Sequence, residues 1–548
     1  MKRFAVVLVT LLACAGGTQE EVKPDVGGPA QVGVPTKKMT SGDVSFEVPV
    51  SEIKGTLYEP DALGRPGMPL VDPKRPIPLD KQRAVVQSAK DPVQKQAQAA
   101  VLATMLYRDS KSNKDKEKAL WTEARQLLRD VAQQVGDQAI DEITLRLLGS
   151  YELLLDDYSS AEKAWAALIA KDPKSKELTY NRAYLAYAQL KQFKNAEALA
   201  TVGTDPLDDK QPELAYVTAW AKWRAGDPAA AWQALGVAAK GWGQNTGRSE
   251  LEQNVIVFAS RGNVALDQAV PVLVMLAKDK AQFLTPTRAK EEAVRMGYEL
   301  IAKLGVSGYG LVGRWADGIA ALDKAVEFGK DIVPANDRVV IRYSQADYTV
   351  KLDTPDVAVQ YAKQALAAVA ACGTQCTDKE KSDPVEGLYL MGRLFHILYA
   401  TANDKRYYQP AHDLYAMTIP LLPAAQQPQA QQDATKLETT LKNTKAGTGT
   451  HDKGALGALL ARHTPEVQTC YENAIEANPK IGGTVALMLE SDASGAIKGA
   501  TTEPKAGLAD LAAVAGCILE HAKVWKLPRR GMAGTTRIKT SYTFSIKK

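Results

Sequence analysis

The chain has 548 residues, long enough for three or four ordinary domains or one long repeat array with additions. Hydrophobic residues make up 45% and charged residues 24%, a globular rather than disordered balance. The formal charge of +5 arises from 68 basic and 63 acidic side chains, which is too even to indicate a nucleic-acid partner.

At the N-terminus, Lys2 and Arg3 precede a short apolar run over residues 4–12. A run of that length suits a cleaved export signal and is too short to span a bilayer. Leu11-Leu12-Ala13-Cys14 resembles the lipobox of bacterial lipoproteins. The resemblance implies a signal peptide over 1–13 and acylation of Cys14, and attachment by more than one acyl chain is stable. Ala15 stands where inner-membrane retention favours Asp, so the expected location is the outer membrane, lipid-anchored and facing the periplasm. Residues 14–84 are dense in Gly, Pro, Val and Lys and read as a flexible linker, with one candidate short strand near Val44–Val50.

From 85 to 443 the chain reads as helix after helix. Tyr158-Ser-Ser-Ala161-Glu-Lys-Ala-Trp165 recurs as Phe193-Lys-Asn-Ala196-Glu-Ala-Leu-Ala200 and as Pro228-Ala-Ala-Ala231-Trp-Gln-Ala-Leu235. The small residue at 161, 196 and 231 shares a helical face with a bulkier neighbour on either side, so two helices can approach closely there. Leu148-Gly149 and Met391-Gly392 mark matching first helices, and Asp172-Pro173 closes a copy. The pattern resembles the tetratricopeptide repeat, which implies a mostly α, TPR-like solenoid with a concave face that holds partner peptides. Further copies are expected at 250–280, 290–330, 338–370 and 386–423. Tyr216, Trp220 and Trp223 fall on one helix face; the repeat register points them into the groove as partner-binding candidates, and a core role is the alternative.

No constellation argues for catalysis. Gly308-Tyr-Gly310-Leu-Val-Gly313 has the dinucleotide spacing, but a helical run precedes it instead of a strand, so it reads as an interhelical turn. The five histidines show no metal-ligand spacing. No cofactor or metal is expected. Setting Cys14 aside leaves Cys372, Cys376, Cys470 and Cys517, an even number for an oxidising compartment. Local disulfides 372–376 and 470–517 are the simplest assignment; free thiols or half a metal site are the other readings of Cys372 and Cys376.

After a linker over 444–453, residues 454–548 change character. A helix over 454–477 precedes a strand at Gly482–Leu489, a turn at Asp492–Gly495, a second strand, a helix from Leu508 to Val524, and a strand alternating through Ile538, Thr540, Tyr542, Phe544 and Ile546. This small α+β order resembles TonB-like C-terminal domains. The nearer resemblance is to the AgmX/PglI-type domain, carried by Val467-Gln-Thr-Cys470-Tyr471-Glu472, Asn478-Pro479, Gly482-Gly-Thr-Val485, Gly495, Cys517, Trp525, Pro528 and Tyr542-Thr-Phe544. A Cys470–Cys517 clip would join its two helices and contribute about 4 kcal/mol in the chain-entropy account. Lys523, Lys526, Arg529, Arg530, Arg537 and Lys539 read first as solvated surface and second as a contact for an acidic partner or peptidoglycan.

The combination is similar to lipoproteins of the adventurous-gliding (Agl/Glt) machinery. That resemblance implies a non-enzymatic scaffold of a trans-envelope complex, binding other envelope-complex proteins through the groove and the terminal domain and touching the membrane through its lipid. A lipoprotein of outer-membrane assembly or secretion is the alternative.

Overall fold

A computed structural model describes residues 37–40, 44–49, 78–443 except 138, 244–248, 283 and 403, then 460, 463–478, 481–504, 511–527 and 535–547. Cys14, the signal segment, the 444–453 linker, the helix expected at 454–459, Pro479, Pro528, Arg529 and Arg530 lie outside the described residues. Among the described residues there are twenty α-helices and five strands. None of these helices is long and apolar enough to cross a membrane.

The chain divides into two units. The first comprises Val48–Ser344 with the short segments Tyr471–Ile481 and Ile546–Lys548. Its helices are α1 (Leu79–Ser88), α2 (Pro92–Ser112), α3 (Glu117–Val135), α4 (Glu142–Leu154), α5 (Tyr158–Lys171), α6 (Leu178–Lys191), α7 (Asn195–Val202), α8 (Pro212–Arg224), α9 (Pro228–Gly243), α10 (Ser249–Arg261), α11 (Leu266–Ala281), α12 (Pro286–Lys303) and α13 (Trp315–Gly329), followed by most of α14 (Ala335–Lys351). Helicity therefore begins at Leu79, six residues before the boundary drawn at 85.

One turn repeats between the two helices of successive hairpins. A residue with positive φ ends the first helix: Asp156, Phe193, Gly226, Asn263, Gly313 and Asp353. The next amide donates back across it, as in Asp157 N to Glu152 O at 2.8 Å, Lys194 N to Gln189 O at 3.0 Å and Asp227 N to Lys222 O at 3.0 Å. This is a Schellman closure, which satisfies carbonyls that the helix end would leave open. Asp157 also starts the next helix, its carboxylate accepting from Ser160 N at 3.1 Å.

These turns correct the repeat register. Ala161 and Ala231 are buried three residues into α5 and α9, but the buried residue at that place in α7 is Ala198, and Ala196 is exposed. The turn at Phe193 sets where α7 begins, so the interval between equivalent alanines is not constant. Gly149 sits where a Cβ would come within 2.7 Å of Trp165 Nε1, and this close approach is why the first helix needs glycine there. Trp165 in turn stacks on Tyr184 with centroids 5.0 Å apart. Gly308 lies in a π-helical turn over Leu304–Tyr309 that leads to Gly313, placing the G-x-G-x-x-G run between α12 and α13 and not after a strand.

The second unit comprises Met1–Glu47, Gln345–Cys470 and Gly482–Ser545. It holds α15 (Pro355–Cys372), α16 (Asp378–Ala402), α17 (Tyr408–Thr418), α18 (Gln427–Asn443) and the small terminal domain. In that domain α19 (Thr464–Ala477) begins, β3 (Gly483–Ser491) pairs antiparallel with β4 (Ile497–Pro504) and β5 (Thr536–Lys547), and α20 (Ala512–Ala522) covers β4 and β3. The register sets Val485 opposite Tyr542, Leu487 opposite Thr540 and Leu489 opposite Ile538, all buried. Trp525 stacks on His463 with centroids 4.4 Å apart while its indole donates to the Glu466 carboxylate.

The sheet has two further members inside the 14–84 segment: the strand expected near Val44–Val50, and one over Lys37–Thr40 that the linker reading lacks. β1 (Lys37–Thr40) pairs parallel with β5, and β2 (Val44–Pro49) also pairs β5. Valine and phenylalanine in Val44-Ser-Phe-Glu-Val supply the alternation that a sheet edge accepts.

Candidate functional site

Equivalent positions recur on the first helix of each hairpin. The small residue that packs on the second helix fixes the register: Gly149 in α4, Ala186 in α6, Ala219 in α8 and Gly392 in α16, whose Cβ would lie 3.1 Å from Leu414. Counting from these, Ser150, Tyr187, Trp220 and Arg393 are equivalent, and so are Leu147, Tyr184, Val217 and Leu390.

In α8 this row is core, which corrects the groove expectation for Tyr216 and Trp220. Trp220 is 0% exposed and Tyr216 1% exposed. Trp220 meets Phe258 edge-on at 5.0 Å, and Tyr216 packs on Trp242 at 4.9 Å. Trp223 is half-buried and stacks on the same Phe258 ring at 4.5 Å. The reason is local composition: Ala215, Ala219 and Ala221 surround the aromatics, so neighbouring helices come close enough to enclose them.

In α16 the same row is open. Leu390 is 45% and Ile397 42% exposed, with the Arg393 side chain, 49% exposed, between them. The spacing places all three on one helical face. Beneath them lies a polar cluster. Asp433 is buried; it accepts from Tyr389 Oη at 2.8 Å and Gln429 Nε2 at 3.1 Å, and pairs with Arg393 at 3.2 Å. Burial, and then the Asp433 carboxylate, push the Tyr389 phenol up to about 12. Burial lowers His396, whose Nδ1 lies 3.3 Å from Tyr415 Oη. These groups hold one another and fix α16 against α18. The sequence reading passed over Leu390, Arg393 and Ile397; the signal available was apolar residues at 390 and 397 flanking an arginine at a place that is tyrosine in α6 and tryptophan in α8.

The cysteines lie where they can form local bridges. Cys372 and Cys376 are bonded across the turn after α15, and Cys470 of α19 is bonded to Cys517 of α20, each pair with Cα atoms 5.7 Å apart. Among the described basic residues of the terminal domain, Lys523 pairs with Glu520, and Arg537 with Glu490 at 3.2 Å.

No protein-family model matches the sequence, and no curated protein matches it. Among solved structures, the chain is similar to one described as the crystal structure of the APC/C hetero-tetramer Cut9–Hcn1. Identity is 12% and the TM-score 0.25, over 73% of this chain and 96% of that one. It is also similar to a structure of Naa15/Naa10 bound to HypK-THB, at 13% identity and TM-score 0.13 over 73% and 81%. Overlap this shallow supports no inference, so the fold class rests on the helical pairs and their repeated turn: a mostly α hairpin array with a small α+β domain.

Proposed function

We propose that this protein is a non-enzymatic scaffold that captures an amphipathic helical segment of another protein along α16. The observation that carries the reading is the open row of Leu390, Arg393 and Ile397, apolar–basic–apolar on one face, where the places of Leu390 and Arg393 are buried in α4, α6 and α8. Partner helices dock into such faces through residues of matching period. The finer setting is a trans-envelope complex of the gliding type, with the chain held by a lipid on Cys14 at the outer membrane and facing the periplasm. Its support is the lipobox-like tetrad, the Gly/Pro-rich tether and the resemblance of the terminal domain.

Cross-linking in intact cells followed by mass spectrometry of the membrane fraction tests both levels. The Leu390→Asp/Ile397→Asp chain is expected to lose its principal partner while circular dichroism and the urea midpoint stay unchanged, since exposed substitutions shift stability by only about 0.5 kcal/mol. Full retention of every cross-linked partner by that variant defeats the α16 reading. Motor and gliding subunits among the wild-type partners support the finer setting; secretin or barrel-assembly subunits alone defeat it and move the scaffold to envelope assembly.

A further inference from the structure

Three side chains of the terminal domain that the scaffold reading leaves unused converge. The Sγ atoms of Cys470 and Cys517 and a ring nitrogen of His521 all lie within 4.8 Å of one another. Cys517 and His521 are one turn apart on α20, so both project from one face of that helix. Cys470 reaches them from α19. Cys470 is buried while Cys517 and His521 are half-buried, so reagents from solvent can enter along α20. A structural disulfide accounts for the two sulfurs. It does not account for an imidazole held beside them.

We propose that reduction of the Cys470–Cys517 disulfide converts this cluster into a three-ligand site for a thiophilic cation of the zinc class, with the fourth position open. An external dithiol supplies the two electrons and two protons that yield both thiols, and is itself oxidised to a disulfide. On metal entry the S–H bonds release two protons to solvent, and two thiolates and one neutral imidazole nitrogen coordinate. The fit is dimensional. Zinc with Zn–S near 2.3 Å and Zn–N near 2.0–2.1 Å needs ligand atoms about 3.5–3.8 Å apart in a tetrahedron. The imidazole nitrogen is already within 4.8 Å of both sulfurs, and reduction frees the two sulfurs to part to that spacing. Two Cys and one His with an open position is also a known catalytic-type donor count, and soft thiolates favour zinc over hard cations.

In either redox state α19 and α20 stay joined, first by a covalent bond and then by the metal. The spacing of His and Cys in the sequence hid this set because the third ligand comes from a facing helix 47 residues earlier.

The test uses the full chain with Cys14→Ser, Cys372→Ser and Cys376→Ser, so that only this pair remains. Zinc uptake is titrated by competition with a chromophoric chelator before and after reduction with a non-metal-binding phosphine. One equivalent is expected in the reduced chain and none in the oxidised chain. His521→Ala is expected to weaken zinc by more than tenfold, since even second-shell changes cost about 10–100-fold. Its oxidised form keeps the disulfide, so an unchanged melting temperature there separates loss of a ligand from loss of fold. Cobalt added to the same Ser-substituted chain after reduction is expected to show a thiolate-to-metal charge-transfer band, which a further Cys470→Ser abolishes. No uptake by the reduced chain, equal uptake by the oxidised chain, or unchanged affinity in His521→Ala each overturns the proposal.

Discussion

Replacing Trp220 by alanine removes a fully buried indole from the middle of α8. The ring is enclosed on all sides, meets Phe258 at 5.0 Å and has the Arg224 guanidinium 5.8 Å from its centroid. Its Nε1 makes no hydrogen bond, so truncation orphans no partner and the loss is packing plus cavity. Burial of about 200 Å² at about 25 cal/mol/Å² gives about 5 kcal/mol, and measured Trp→Ala changes fall at about 3–5 kcal/mol. The edge-on pair with Phe258 adds about 1 kcal/mol that the alanine also forfeits. These terms are upper bounds, because the alanine keeps its own Cβ contact and the site relaxes in part, so we expect a loss of about 4 kcal/mol, within the measured range. With a urea slope of about 2–3 kcal/mol/M, the midpoint falls by about 1.3–2 M. A repeat array need not unfold in one step, so amide exchange across α8 to α11 is read alongside circular dichroism. A Trp220→Ala chain that unfolds within about 0.3 M of the parent yet no longer binds its partner would refute the core assignment and restore the groove reading.

Gly149→Ala inserts a methyl against the Trp165 ring, and overpacking of this kind costs about 1–3 kcal/mol, checked by the same urea titration. In the β3–β4 hairpin, the hydroxyl of Ser494, then Lys498 and the amides of Ser494 and Ala496, lower Asp492 to about 2. A lowered carboxyl contributes stability that is full above its ordinary value of 3.8 and is lost as pH falls through about 2. Hairpin amide protection is therefore expected to fall between about pH 4 and pH 2, and Asp492→Asn is expected to flatten that dependence.

Helical content was legible because the 85–443 region is rich in strong helix formers with apolar residues at helical spacing. The positions of the second helices were not legible to the residue. The positive-φ turns fall on Asp156, Phe193, Asn263 and Asp353 as well as on glycines, and a phenylalanine gives no sequence warning of a left-handed turn. That single residue explains why Ala198, not Ala196, takes the buried place in α7. The terminal sheet could be read from the strict alternation along β5, but its pairing with β1 could not, since partners so distant in sequence leave no local mark. The face of Tyr216 and Trp220 was read correctly as one stripe, yet a stripe at helical spacing does not reveal whether neighbours enclose it. That depends on the alanines around it.

Arg393 explains why the α16 row stays open while its counterpart in α8 closes. Trp220 can be covered by other side chains at a net gain, whereas covering a guanidinium without a full set of acceptors costs several kcal/mol. Asp433 cannot supply that set alone. Its two oxygens already serve Tyr389 and Gln429, and Lys436 lies 3.7 Å away. A partner that lays apolar residues on Leu390 and Ile397 must therefore bring a carboxylate to Arg393. Arg393→Glu reverses the charge and is expected to weaken partner binding by at least tenfold, about 1.4 kcal/mol, because like charges then meet across a desolvated contact. Arg393→Met keeps the aliphatic stem and removes only the charge. It is expected to weaken the partner less than Arg393→Glu, because the incoming carboxylate loses its counter-charge without meeting a like charge, and to flatten the dependence of the association rate on salt. Equal binding by wild type, Arg393→Glu and Arg393→Met, measured by surface plasmon resonance with the captured partner at low and high salt, would show that the apolar pair alone defines the contact and that its partner carries no acid.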